Sequence, residues 1–132
     1  MKKIILLGVF AATLAFLQGC DKPDPEKVRA NLHLPSPDFV ANVTLGQQLF
    51  VKNCARCHGS GGQGTDQGPP LIHKIYRPGH HPDLAFHFAV KNGTKQHHWG
   101  FGDMPPVVGM SPEDAGHIIS YVRAEQKKAG LY

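Results

Sequence analysis

The stretch "CARCHGSGGQG", Cys54 to Gly64, decides how this chain is read. Cysteines in a Cys-x-x-Cys spacing fit a redox dithiol or half of a zinc site. His58, directly after the second cysteine, adds another reading, covalent attachment of a haem. Gly59, Gly61 and Gly64 also carry the spacing of a dinucleotide-binding fingerprint. The flanking sequence discriminates among these readings.

Upstream of the cysteines, Leu45, Leu49 and Lys52, with Phe50 and Asn53, recur at helical spacing. This predicts a helix capped by Thr44 and running up to Cys54. Residues 59–70 are too rich in glycine and proline to be anything but loop. A second helix is predicted over Pro82 to Asn92, with proline in the first turn and Gly93 as the stop. Residues 94–110 are loop again. The last helix is the clearest: Ser111 is the N-cap, Pro112 takes the first helical position, and Glu113 and Asp114 suit the positive end of the dipole. Ala115, Ile118, Ile119 and Val122 mark one apolar face, and Lys127 and Lys128 close the helix at its negative end. No segment reads as a strand. The expected fold class is all-α with long loops, and so little material for a conventional core implies that something else fills the middle.

That order of elements weighs on the motif. A dinucleotide fingerprint must follow a strand and open a helix, whereas here the glycines follow a helix and run into Gly68-Pro69-Pro70. A thioredoxin-like dithiol also wants a strand before the pair. Structural zinc needs four ligands; Cys54, Cys57 and His58 are crowded for one tetrahedron, and no second cysteine pair follows. The dithiol and zinc readings stay open but disfavoured. Cys-x-x-Cys-His suits haem: two thiols add to the vinyl groups on one porphyrin edge, and the histidine beyond turns under the ring to ligate iron. Haem would also supply the missing apolar centre.

The N-terminal part has a different character. Met1-Lys2-Lys3 followed by the apolar run 4–17 has the form of an export signal and is short for a membrane span. Leu17-Gln18-Gly19-Cys20 resembles the lipobox of bacterial lipoproteins, with Gln18 bulkier than usual. That resemblance implies cleavage before Cys20 and acylation of Cys20. Residues 1–19 are thus expected to be a signal peptide, 20–43 a lipid-anchored flexible tether with four prolines and no apolar period, and 44–132 the folded domain. The odd count of three cysteines is resolved if Cys20 carries lipid and Cys54 and Cys57 act as a pair. The formal charge of +4 includes Lys2 and Lys3. With no basic stripe interleaved with aromatics, nucleic acid is not an expected partner.

In combination these features resemble the single-haem class I cytochromes c, over Thr44 to Tyr132. The motifs that carry the resemblance are the helix before Cys-x-x-Cys-His, the loop Gly68-Pro69-Pro70-Leu71, and a methionine before the last helix. The resemblance implies a cytochrome c fold of three to four helices with long loops wrapped around one covalently bound haem c. Cys54 and Cys57 would form the thioethers and His58 would be the proximal iron ligand. The Pro69 carbonyl would accept the proton of its other ring nitrogen, and Gly46 and Phe50 would pack on the last helix near Tyr121. In Gly102-Asp103-Met104-Pro105-Pro106, Met104 matches the second axial ligand. The two prolines push its backbone toward extended conformation and stiffen the loop. Met110, just before the N-cap, has a packing role against Ala115 instead. Trp99 resembles an indole whose N–H reaches a haem propionate, and equally fits a simple loop anchor. His73, His80, His81, His87, His97 and His98 crowd the same region. A functional reading is a second metal site, or His97 or His98 as the sixth haem ligand; the plainer and preferred one is solvated loop histidines and propionate neighbours, since adjacent pairs do not easily aim both rings at one ion.

Histidine and methionine ligation leaves no open position on iron. The implied function is a periplasmic electron carrier, not an enzyme by itself, tethered to the membrane through lipid on Cys20. Its expected partners are redox proteins (a dehydrogenase, reductase or oxidase), with the carrier also able to serve as the electron-accepting subunit of a larger oxidoreductase. Asp21 resembles a retention signal for the periplasmic face of the inner membrane. The rival is a haem-based gas or redox sensor whose methionine is labile.

Overall fold

A computed structural model describes residues 22–132; the expected signal peptide, Cys20 and Asp21 lie outside the described residues. Five α-helices follow in order: α1 (Pro25–Leu32), α2 (Val43–Asn53), α3 (Ala55–His58), α4 (Asp83–Asn92) and α5 (Pro112–Lys128), with a 3-10 turn at Lys74–Tyr76. No strand occurs among the described residues, and Thr94 and Met104 form an isolated antiparallel bridge. The all-α expectation therefore holds, with more helices than the three to four expected.

The α2–α5 crossing organises the domain. The Asn42 side chain caps α2 by accepting from the Leu45 N–H at 3.0 Å. The cap is therefore Asn42 and not Thr44, because the amide oxygen of Asn42 reaches the third helical N–H while Thr44 is already inside the first turn. Gly46 then meets α5 at such close range that a Cβ there would lie 1.9 Å from the His117 carbonyl oxygen. One turn on, fully buried Phe50 packs its ring 5.3 Å from that of Tyr121. Phe50, Ile118, Tyr121 and Val122 form the core cluster, with Met110 packed against it. α5 is built as its sequence implies: Ser111 accepts from the Asp114 N–H at 3.0 Å, Pro112 opens the helix, and Lys127 and Lys128 lie in its last turn. α4 also rests on α5, starting at Asp83 with Pro82 as its cap residue and stopping at Gly93, whose φ is 75°.

Residues 25–42 differ from the extended tether expected. Asp24 caps α1 by accepting from the Glu26 N–H at 3.0 Å, and Pro25 starts the helix where no N–H is needed. Lys91 of α4 binds the exposed carbonyls at its end, 3.0 Å from Ala30 O and 2.8 Å from Asn31 O, and Arg29 reaches the Pro35 carbonyl. The following residues lie along α5. The Ser36 N–H donates to Glu113 Oε1 at 3.0 Å and the Asn42 N–H to His117 Nδ1 at 2.9 Å. The Phe39 ring covers Gly116, where a Cβ would lie 2.8 Å from it. Polar caps and backbone bonds hold this strap, so hydrophobic periodicity carries no trace of it; α1 itself buries no residue.

Gly46→Ala is expected to push α2 off α5 and cost about 1–3 kcal/mol or more. The readout is a lower denaturant midpoint with an unchanged slope; an unchanged midpoint would mean that the crossing tolerates a side chain.

Candidate cofactor site

At its C-terminal end α2 breaks at Cys54 and the one-turn α3 resumes directly, carrying Cys57 and His58. The glycine-rich loop then folds under this turn. Gly59 takes a φ of 77°, and the Gly64 N–H returns to the His58 carbonyl at 2.7 Å. Thr65 Oγ1 donates to the Cys57 carbonyl at 2.6 Å, and a Cβ on Gly68 would lie 2.9 Å from that same oxygen. The loop thus brings Pro69 beside His58, whose Nδ1 lies 2.8 Å from the Pro69 carbonyl oxygen. A carbonyl only accepts, so Nδ1 carries the proton and Nε2 keeps a lone pair. Burial lowers the His58 pKa, opposed by the Pro69 bond, which holds the ring neutral and able to act as a ligand.

Cys54 and His58 line a cavity of about 410 Å³ together with Phe50, Ile118, Val122, Phe86, Trp99 and Met104. Its walls are predominantly apolar, and its volume falls within the roughly 300–1,000 Å³ of pockets that enclose cofactor-sized ligands. Met104 belongs to this lining and Met110 to the core. The loop bearing Met104 is clamped: Thr94 and Met104 exchange backbone bonds of 2.9 Å each way. Asp103 pairs with Lys95 at 2.5 Å and accepts from the Gln96 N–H at 3.0 Å, and the Gly102 N–H donates to Gln96 Oε1 at 2.8 Å. Trp99 Nε1 is buried without a partner, while its ring meets His73 edge-on at 5.2 Å.

These facts bear on what the cavity holds. Burial, and then the neighbouring Cys57, push the Cys54 thiol up to about 11, which does not suit a reactive dithiol. Cys54, Cys57 and His58 do not converge as metal ligands; among the described residues the three side chains whose donor atoms lie within 4.8 Å of one another are His80, His81 and His98. A flat apolar macrocycle with an iron centre and acidic edge groups does fit. It finds an aligned imidazole, a thioether, an apolar enclosure and an indole N–H still in need of an acceptor. Cys57 stands on the same helical turn but outside the lining.

Two residues that matter here carried no motif. Gln126, fully buried, donates to the Leu71 carbonyl at 2.8 Å and the Tyr76 carbonyl at 3.0 Å. Arg123 donates to Tyr76 O and Gln126 Oε1 at 2.7 Å each, to His81 O at 2.5 Å, and to Asp83 Oδ1 at 2.7 Å. Together they tie residues 71–81 to α5 and so hold one wall of the cavity. The signal available was positional: Gln126 continues the stripe of Ile119 and Val122 at helical spacing. Among the histidines, His87 differs from expectation: it lies on α4 and is buried, not a solvated loop residue. His80, His97 and His98 are exposed as expected, and their rings gather with that of His81 into one group; His97 and His98 lie 4.3 Å apart and His80 and His98 5.2 Å apart.

Residues 43–125 match the family model described as Cytochrome c. Over 82 residues the chain is 29% identical to "Cbb3-type cytochrome c oxidase subunit CcoP" of Rubrivivax gelatinosus, an alignment that takes in 61% of this chain and 25% of that protein. The chain therefore spans about a quarter of the length of the curated relative it matches.

Proposed function

Since this chain belongs to the cytochrome c family, binds haem c covalently and serves electron transfer, we propose that it is a membrane-tethered periplasmic carrier with His58 and Met104 as iron ligands. The observation that carries the reading is the cavity flanked by an oriented imidazole and a clamped thioether. Haem supplies one-electron iron chemistry; the chain supplies attachment, ligands and a largely apolar enclosure. Cys54 and Cys57 would anchor the porphyrin edge. The Pro69 carbonyl fixes the His58 tautomer and raises its donor strength, which presents Nε2 to the metal. Met104, as a ligand beside His58, would raise the potential relative to two histidines. Trp99 Nε1 is the donor for a propionate.

A labile methionine, as a gas sensor requires, is not favoured. Met104 is pinned by its backbone exchange with Thr94 and followed by Pro105 and Pro106. Membrane attachment rests on the sequence 1–21. No helix among the described residues is long and apolar enough to cross a membrane, so the tether would be the lipid on Cys20. The strap 25–42 would then set the domain close to its anchor, on the periplasmic face of the inner membrane. The relative from Rubrivivax gelatinosus is an oxidase subunit, which favours an oxidase among the redox partners.

Met104→Ala is expected to abolish the weak far-red sulfur-to-iron band of the oxidised protein and lower its potential, while Met110→Ala leaves both in place. The reverse pattern would move the ligand to Met110; absence of the band from the unsubstituted oxidised protein would turn attention to His97 and His98. Separately, Cys20→Ser should leave the haem spectrum unchanged and shift the protein from the membrane fraction to the soluble one. Its retention with membranes would count against lipid anchoring.

A further inference from the structure

Beside the cavity, two separate loops deliver histidines to one point. His80 and His81 follow the 3-10 turn, with their N–H groups bound to the Arg77 carbonyl at 3.0 and 2.9 Å. His98 comes from the clamped loop before Met104. One ring nitrogen from each of the three lies within 4.8 Å of the others. Ligand atoms around one tetrahedral zinc sit roughly 3.4 Å apart, so small rotations of exposed or half-buried rings close the set.

The surroundings are those of a ligand set. The Ile75 carbonyl oxygen lies 2.9 Å from His80 Nδ1 and 2.7 Å from His81 Nδ1. The two Nδ1 atoms also lie 3.0 Å from each other; a carbonyl only accepts, so at least one of the two rings carries its proton on Nδ1 and keeps a lone pair on Nε2, the usual outer contact of a metal-bound histidine. His97 is arranged alike, its Nδ1 2.8 Å from the Lys95 carbonyl, and its ring stands 5.8 Å from that of His81. Arg123 is the nearby cation, and Asp83 neutralises it at 2.7 Å. Burial first, then the neighbouring rings and Arg123, hold His81 below the ordinary imidazole pKa against the Ile75 bond. Some desolvation and the rings of His97, His81 and His80 do the same for His98.

We propose that His80, His81 and His98 bind one divalent transition-metal ion, through one ring nitrogen each, at a site separate from the haem iron. An all-imidazole donor set selects against magnesium and calcium, and copper(II) should bind more tightly than zinc(II). Three histidines leave a coordination position free, for water or for His97. Since His81, His97 and His98 also line the haem cavity, the ion would sit on the same side of the domain as the exposed approach to that cavity. This inference does not depend on which methionine ligates iron.

The test uses tag-free holoprotein titrated calorimetrically with zinc(II), and with copper(II) followed by electron paramagnetic resonance. One equivalent of each ion should bind, with nitrogen splitting in the copper signal. His80→Gln and His98→Gln should each weaken zinc binding by at least about tenfold, and the double variant should abolish it, while an unchanged helical circular dichroism signal and thermal midpoint show that the variants are folded. Failure of the wild-type protein to bind either ion would overturn the proposal. So would a double variant that binds as tightly as wild type, since the ion would then occupy other histidines.

Discussion

At the crossing of α2 and α5 there is no room for a side chain at residue 46, and the geometry of the site follows from that contact. The backbone approach at Gly46 seats α2 on α5, and α2 runs to Asn53, with Cys54 as its C-terminal cap residue. The turn bearing Cys57 and His58 is thereby held at a fixed distance from Ile118 and Val122, which line the cavity from α5. Phe50 and Tyr121 lock the same crossing one turn further along. A small domain rarely supports both a large void and a stable core, and here the void sits directly against the core cluster of buried apolar side chains.

The rest of the enclosure is held by hydrogen bonds more than by apolar packing. Arg123 and Gln126 satisfy carbonyls in the 71–81 loop, and Asp103 and Gln96 close the loop that carries Trp99 and Met104. Such bonds contribute about 0.5–1.5 kcal/mol each, but leaving one buried partner unmatched costs about 1–3 kcal/mol. Long loops can therefore present ligands in defined positions without forming secondary structure. The same economy applies to the strap 25–42, which spends its donors on Glu113 and His117 of α5.

What was legible in the sequence were features that local chemistry settles. Ser111-Pro112-Glu113-Asp114 announces a helix start, the stripe through Ile118 and Val122 announces a buried face, and Cys-x-x-Cys-His announces attachment. The cap of α2 was misplaced because Asn42 and Thr44 are both good capping residues, and only tertiary contacts choose between them. α1 was missed because a helix that buries nothing has no hydrophobic period to read. The gathering of His80, His81 and His98 was unreadable for a different reason: it depends on how two loops far apart in sequence are clamped to α5 and to each other. The placement of Cys54, His58, Pro69 and Met104 around one cavity shares that tertiary origin, and it was reachable beforehand only through resemblance to a family.

The central claim is that haem c completes the fold by filling the cavity between α2, α4 and α5. Thermal unfolding of the Cys54→Ala/Cys57→Ala protein, expressed without attached haem and followed by circular dichroism at the helical band, tests it most directly. If haem is the missing core, the curve is broad and non-cooperative, with most helical signal lost at ordinary temperature. A sharp cooperative transition in the haem-free chain would show that the side chains alone suffice and would contradict the claim.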